Sequence, residues 1–167
     1  TKGVEFLFKK NKIDWVKGSA RLMGGGRIDV TGESPATLKA KEIIVATGSS
    51  ARSVPGITID RTHIITSDEA IGLTAVPKSL AIMGSGAVGV EFASIYRRFG
   101  SDVTIIELLP RLVPNEDEAV SAELAKAFKK RGIAVRTGTR VTAAVVKDGQ
   151  VTLTMQQGDT SETLTVE

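Results

Sequence analysis

The sequence contains no cysteine and a single histidine. The first absence excludes structural disulfides, thiolate metal sites and any cysteine nucleophile or redox pair within these residues. The second leaves His63 alone in the run Thr62-His63-Ile64-Ile65. No other metal-type ligand stands at a useful spacing, and no Ser-His-Asp arrangement can be assembled around it, so it reads as a surface or strand-end histidine. No stretch approaches the ~18 continuous apolar residues of a membrane span, and no secretory signal precedes the fold. The chain therefore reads as soluble and intracellular, in the cytoplasm or, in a eukaryote, the mitochondrial matrix. A large excess of one charge is lacking too, the net value being +3. Apart from Arg97-Arg98, the one basic cluster is Lys126, Lys129, Lys130 and Arg131. It falls on the polar side of a predicted helix, a solvated face and not a nucleic-acid patch. At 167 residues, one good core or two small ones can be buried.

Against these absences stands one segment rich in signal, Ser79 to Glu107. It reads as a short apolar strand, the pattern Gly84-Ser85-Gly86-Ala87-Val88-Gly89, a helix closed by Gly100, a second strand and then Glu107. Glycines alone mean little, since turns use them for positive φ. Here strand, turn, helix, strand and acid follow in register, the layout of a dinucleotide-binding turn. Gly84 permits the tight turn, Gly86 lets a pyrophosphate approach the backbone, and Gly89 lets helix and strand pack closely. The amides opening the helix face the phosphates, where the helix dipole favours negative charge. Glu107 lies about twenty residues past the glycines, where a carboxylate accepts hydrogen bonds from an adenosine ribose and repels a 2′-phosphate. NAD is thus expected over NADP. Val88, Phe92, Ile95, Tyr96 and Phe99 supply the helical spacing expected of a buried stripe.

The flanking residues extend the pattern. Residues 2 to 12 read as a helix on Val4, Leu7 and Phe8, followed by a strand-like stretch at 14 to 18. Ala20 to Met23, Arg27 to Val30 and Thr37 to Ala40 read as an antiparallel meander punctuated by Gly24-Gly25-Gly26 and by Gly32 to Pro35. Glu42 to Ala46 is β-branched and apolar, the mark of a buried strand running into a sharp turn at Thr47-Gly48-Ser49. Residues 51 to 78 form a connection, with a turn at Pro55-Gly56 and a short helix from Thr66 to Leu73, where Thr66 and Glu69 have capping-box spacing. Beyond Glu107, Asn115 is expected to cap a helix over about 116 to 131, with Glu118 at its third position. Val120, Leu124, Ala127 and Phe128 form its stripe, and Gly132 its end. A third strand, Ile133 to Arg136, completes βαβαβ. Arg140 to Val146 and Val151 to Met155 then form a hairpin at Asp148-Gly149, and Thr163 to Val166 adds a strand.

In order and separation these motifs resemble the two-dinucleotide flavoprotein disulfide reductases, and within them the dihydrolipoyl dehydrogenases. The Ala46-Thr47-Gly48-Ser49 turn is similar to the family's return into the FAD domain, Gly84 to Glu91 to its NAD fingerprint, and 107 to 121 to the stretch after its second NAD strand. The resemblance implies a FAD/NAD(P)-binding α/β fold: a partial FAD-domain segment over residues 1–72, then a Rossmann-like βαβαβ NAD domain with an antiparallel meander over 73–167, lacking the parallel strand that in the family follows the meander. It implies that Gly84, Ser85, Gly86, Ala87, Val88 and Gly89 line the NAD pyrophosphate, that Glu91 reaches toward the nicotinamide, that Glu107 binds the ribose, and that Val141 packs near the adenine. Thr47, Gly48 and Ser49 would lie against FAD.

The family's first FAD-binding turn, its cysteine pair and its interface domain with catalytic histidine and glutamate have no counterpart here. The chain is therefore expected to be part of a longer, homodimeric enzyme that passes electrons from dihydrolipoamide, through a disulfide and FAD, to NAD. That dihydrolipoamide would belong to a 2-oxo acid dehydrogenase or glycine-cleavage complex. Alone, the chain is expected to be inactive, holding NAD weakly and FAD poorly. Two other readings stay open: another flavoenzyme, such as a mercuric or glutathione-type reductase or an NADH oxidase, and a nucleotide-binding module without chemistry. A methyltransferase also places an acid after the second strand, but would continue as alternating strands and helices where this chain has a meander.

Overall fold

A computed structural model of the chain describes residues 2–167. The chain divides into two compact units, Thr1–Ser49 and Ser50–Glu167.

In the first unit, helix α1 (Lys2–Lys10) precedes strands β1 (Ser19–Gly24), β2 (Arg27–Thr31) and β3 (Ala36–Lys39). The strands pair antiparallel in chain order, the meander that the glycine punctuation predicts. Two expectations fail. Residues 14 to 18 form no strand: the Trp15 ring meets Phe8 of α1 edge-on at 5.9 Å and carries Lys17 Nζ at 4.6 Å, so side-chain contacts hold this stretch with no ladder. Residues 42 to 46 form no strand either, and Ile44 and Val45 are 91% and 66% exposed. A β-branched run becomes a strand only when a neighbour satisfies its backbone and covers its face. No strand among the described residues does so.

The second unit runs α2 (Ser67–Ala70), β4 (Ser79–Met83), α3 (Ala87–Phe99), β5 (Asp102–Ile106), α4 (Glu118–Lys130), β6 (Ala134–Arg136), β7 (Arg140–Lys147), β8 (Gln150–Gln157) and β9 (Thr160–Val166). Strands β4, β5 and β6 form a parallel sheet in that order, and β7, β8 and β9 an antiparallel one. This is the α/β architecture of parallel sheet plus meander expected from the sequence. Asp148 and Gly149 turn the β7–β8 hairpin with φ of 51° and 76°, the positive pair a two-residue turn of this kind requires.

Strand β5 organises the layers because its side chains alternate. Val103 and Ile105 face one core with Ala93 and Tyr96 of α3, Phe128 of α4, and Leu112. Ile106 faces the other with Val151, Leu153 and Met155 of β8 and Val166 of β9. Both helices thus cover one face of the parallel sheet and the meander covers the other. Complete burial of a side chain such as Ile105 is worth roughly 1.5–3 kcal/mol.

Helix α3 ends where expected, α4 starts two residues later than expected, and both rotate their expected faces. In α3, Ala93 and Tyr96 are buried, while Val88, Ile95 and Phe99 are exposed. In α4, Ser121 and Phe128 are buried and Val120 is exposed. Apolarity marked the stripes, but the small residues Ala93 and Ser121 are among those buried. Gly100 ends α3 at φ 104°, with Ser101 N–H returning to the Tyr96 carbonyl, a Schellman closure. Asp117, not Asn115, caps α4: its carboxylate accepts from the Ala119 amide at 2.8 Å, making Glu118 the first helical residue. The capping box at Thr66 and Glu69 forms on a helix shorter than expected, Ser67–Ala70.

Candidate functional site

The site lies where β4 runs into α3. Gly84 extends the ladder by donating to the Ile106 carbonyl at 2.9 Å and turns the chain at φ 99°, a conformation that favours glycine. A methyl group at Gly89 would collide with the Gly84 carbonyl oxygen, which is the close helix–strand approach assigned to the third glycine. Gly86 is different. Its φ of −67° suits any residue, and an added Cβ would meet nothing within 4 Å. Nothing inside the chain requires glycine there, so the open space above position 86 is what its missing side chain preserves.

Gly86 is also the cap residue of α3, and no side chain caps it. Among the described residues, the amides of Gly86, Ala87, Val88 and Gly89 find no acceptor. Helix-opening amides without partners, with Gly86, Ala87 and Val88 exposed, have the chemistry to receive an anion.

Glu107 closes the other side. It is 7% exposed. Its Oε2 accepts from the Ser85 amide at 2.8 Å and the Ser85 hydroxyl at 2.7 Å, and its Oε1 from the Leu109 amide at 2.8 Å. Burial pushes its pKa up, but the Leu109 amide, the Ser85 hydroxyl and amide and the Leu108 amide outweigh that and hold it below the ordinary carboxylate value. The group is ionised at neutral pH. Its main chain is tied down as well, the amide donating to the Arg136 carbonyl at 2.8 Å and the carbonyl accepting from Thr139 at 2.9 Å.

Val113 donates to the Ser85 carbonyl at 3.0 Å. It does so at φ 41°, strained for a β-branched residue. Strain of that kind, on the order of 1–3 kcal/mol, persists only where surrounding structure over-determines it. Here the buried Val113 side chain sits in the helix-facing core. Sequence reasoning did not single out Leu109 or Val113 as supports of the loop, since both act through main-chain amides; the positive φ is invisible without coordinates.

The remaining expected residues separate. Glu91 is exposed on α3, one turn along from the uncapped helix start. Val141, on β7, is partly buried against the Ile106 cluster. Thr47, Gly48 and Ser49 are exposed in the first unit, outside any strand, and an added Cβ at Gly48 meets nothing within 4 Å. His63 belongs to a loop organised by Asp60, whose Oδ1 accepts the amides of Thr62, His63 and Ile64. Among the described residues no group of three or more histidines and carboxylates is placed to hold a metal ion, and no helix is long and apolar enough to cross a membrane.

The model of the pyridine nucleotide-disulphide oxidoreductase family matches residues 1–166. The chain belongs to this family. It is 44% identical to dihydrolipoyl dehydrogenase 3 of Pseudomonas putida, over 98% of this chain and 36% of that protein. To the dihydrolipoyl dehydrogenase of Mycobacterium leprae it is 43% identical, over 89% and 35% respectively. Among solved structures, LpdA from Mycobacterium tuberculosis superposes with a TM-score of 0.75 at 25% identity, covering 99% of this chain and 38% of that one. The HOCl-induced flavoprotein disulfide reductase RclA from Escherichia coli gives 0.63 at 26% identity, covering 98% and 38%. The chain thus spans about a third of the length of the curated relatives it matches.

Proposed function

We propose that the chain is the NAD-binding portion of a dihydrolipoyl dehydrogenase-type flavoenzyme, a homodimer that takes electrons from dihydrolipoamide, with FAD as its partner cofactor. Residues 73–167 form the NAD domain without its last strand, and residues 1–72 a partial segment of the FAD domain. The observation that carries this reading is the pairing of an uncapped helix start over a glycine with no internal reason to be glycine, and a buried ionised carboxylate one loop away.

Gly84, Ser85, Gly86, Ala87, Val88 and Gly89 hold the diphosphate through main-chain amides and the end of the α3 dipole. Glu107 accepts a ribose hydroxyl. Its charge, with no cation hydrogen-bonded to it, opposes a 2′-phosphate. Glu91 lies toward the nicotinamide end, and Val141 backs the adenine side. Bound NAD supplies a nicotinamide ring able to take a hydride. What this chain contributes is position: a preformed cradle fixes the dinucleotide and removes orientational entropy from the transfer. The likeness to RclA supports a second reading, the same role in another flavoprotein disulfide reductase.

Titration of the chain with NADH, NADPH and S-adenosylmethionine, read by fluorescence and calorimetry, tests the assignment. NADH is expected to bind well ahead of both others. Preference for S-adenosylmethionine, or no NADH binding at all, overturns it.

A further inference from the structure

Ser85 stands immediately before Gly86, the cap residue of α3, which has no side chain to satisfy the orphan amides of the first helical turn. Ser85 is wholly buried, and its amide and hydroxyl both converge on Glu107 Oε2 while its carbonyl is braced by the Val113 amide. A carboxylate has about four acceptor positions, two on each oxygen. Ser85 occupies both positions on Oε2, Oε1 accepts from the Leu109 amide, and the Leu108 amide also favours the charged group, so any acceptor capacity left for a ligand lies on Oε1.

We infer that Ser85 is the residue that aims Glu107: by holding Oε2 it presents Oε1 to one hydroxyl of the adenosine ribose, and this pin sets the selection of an unphosphorylated ribose over a 2′-phosphorylated one. The inference rests on the dinucleotide reading above and assigns to Ser85 a positioning role distinct from lining the pyrophosphate. The second residue of the glycine pattern thereby couples the two halves of the site, because its main chain belongs to the phosphate cradle and its side chain to the ribose carboxylate. Two further ties hold the geometry rigid, the strained Val113 behind Ser85 and the Glu107 main-chain bonds to Arg136 and Thr139.

The test compares Ser85→Ala, Glu107→Gln and the double variant in the 167-residue chain, with circular dichroism melting as the control for folding. Loss of the hydroxyl is expected to weaken NADH binding roughly 3- to 10-fold, the net worth of one ordinary hydrogen bond, and to narrow the NADH-over-NADPH preference. In the Glu107→Gln background the same change should add less than about twofold, because a positioning residue acts through its partner. The carbon-13 resonance of the Glu107 carboxylate should shift in Ser85→Ala at constant pH. Should the parent chain bind neither dinucleotide, the proposed function fails. Should it bind NADH while Ser85→Ala leaves affinity, preference and the carboxylate resonance unchanged, the pin alone is refuted. A full penalty retained in the Glu107→Gln background would likewise refute it, since Ser85 would then act independently of the carboxylate.

Discussion

Alanine at Gly86 and alanine at Gly89 are the same chemical change three positions apart, and the structure predicts opposite consequences. At Gly86 the backbone is at φ −67° and an added Cβ meets nothing within 4 Å. Two small terms compete there. A cap glycine is better than alanine by some tenths of a kcal/mol, while alanine restricts the unfolded chain by roughly 0.4–1 kcal/mol, so the net lies within about 0.5 kcal/mol of zero. At Gly89 the new methyl runs into the Gly84 carbonyl, a backbone atom fixed by its neighbours. Overpacking of that kind costs about 1–3 kcal/mol, a fall in Tm on the order of 4–12 °C for a unit of this size. For NADH the order reverses. The Gly86 methyl fills the space a diphosphate needs above the open amides, and a tenfold or greater loss of affinity, about 1.4 kcal/mol or more, is expected. Thermal melts by circular dichroism and NADH titrations on both variants read the two quantities separately. If Gly86→Ala binds NADH as tightly as the parent, the space above position 86 is not the diphosphate site. If Gly89→Ala melts with the parent, the close approach does not constrain the helix.

Three further outcomes follow from particular contacts. Glu107 has a depressed folded pKa, so its hydrogen bonds contribute stability that is present above the ordinary value of 4.5 and lost as pH falls through the folded value. Urea midpoints should therefore decline on acidification below that point and do so less steeply in Glu107→Gln. Ser121→Ala removes the hydroxyl that donates to the Leu112 carbonyl at 2.6 Å, and should cost about 1–3 kcal/mol because a buried carbonyl loses its partner; an unchanged melt would contradict this. The exposed β-branched residues Ile44 and Val45 offer an unpaired strand-forming segment to a second chain. Sedimentation should show concentration-dependent self-association that Ile44→Lys reduces, and a monodisperse monomer at all concentrations would disprove it.

Much of the site was legible in the chain because each of its parts uses a local signal. Gly84, Gly86, Gly89 and Glu107 stand at spacings that a strand–turn–helix–strand unit converts directly into proximity, and Asp148-Gly149 and Gly100 mark turns whose positive φ few other residues adopt. Where sequence reasoning failed, it lacked a partner to consult. Residues 42 to 46 have the composition of a buried strand, yet composition cannot provide the neighbouring ladder. Asn115 and Asp117 are both good caps, and only the turn that brings Glu116 back to Val113 decides which one meets the helix.

The sequence by itself determined the order of elements in the second unit, its parallel and antiparallel halves, and the identity of the glycines and the acid, because these depend on periodicity, backbone freedom and short-range spacing. Tertiary structure alone decided which helix faces are buried, that Val141 packs against the core, that Val113 is bent into a strained conformation to brace the loop, and that the Ser85 hydroxyl donates to Glu107. Those outcomes depend on what lies across the gap between elements, and no residue carries that information in its own neighbourhood of the chain.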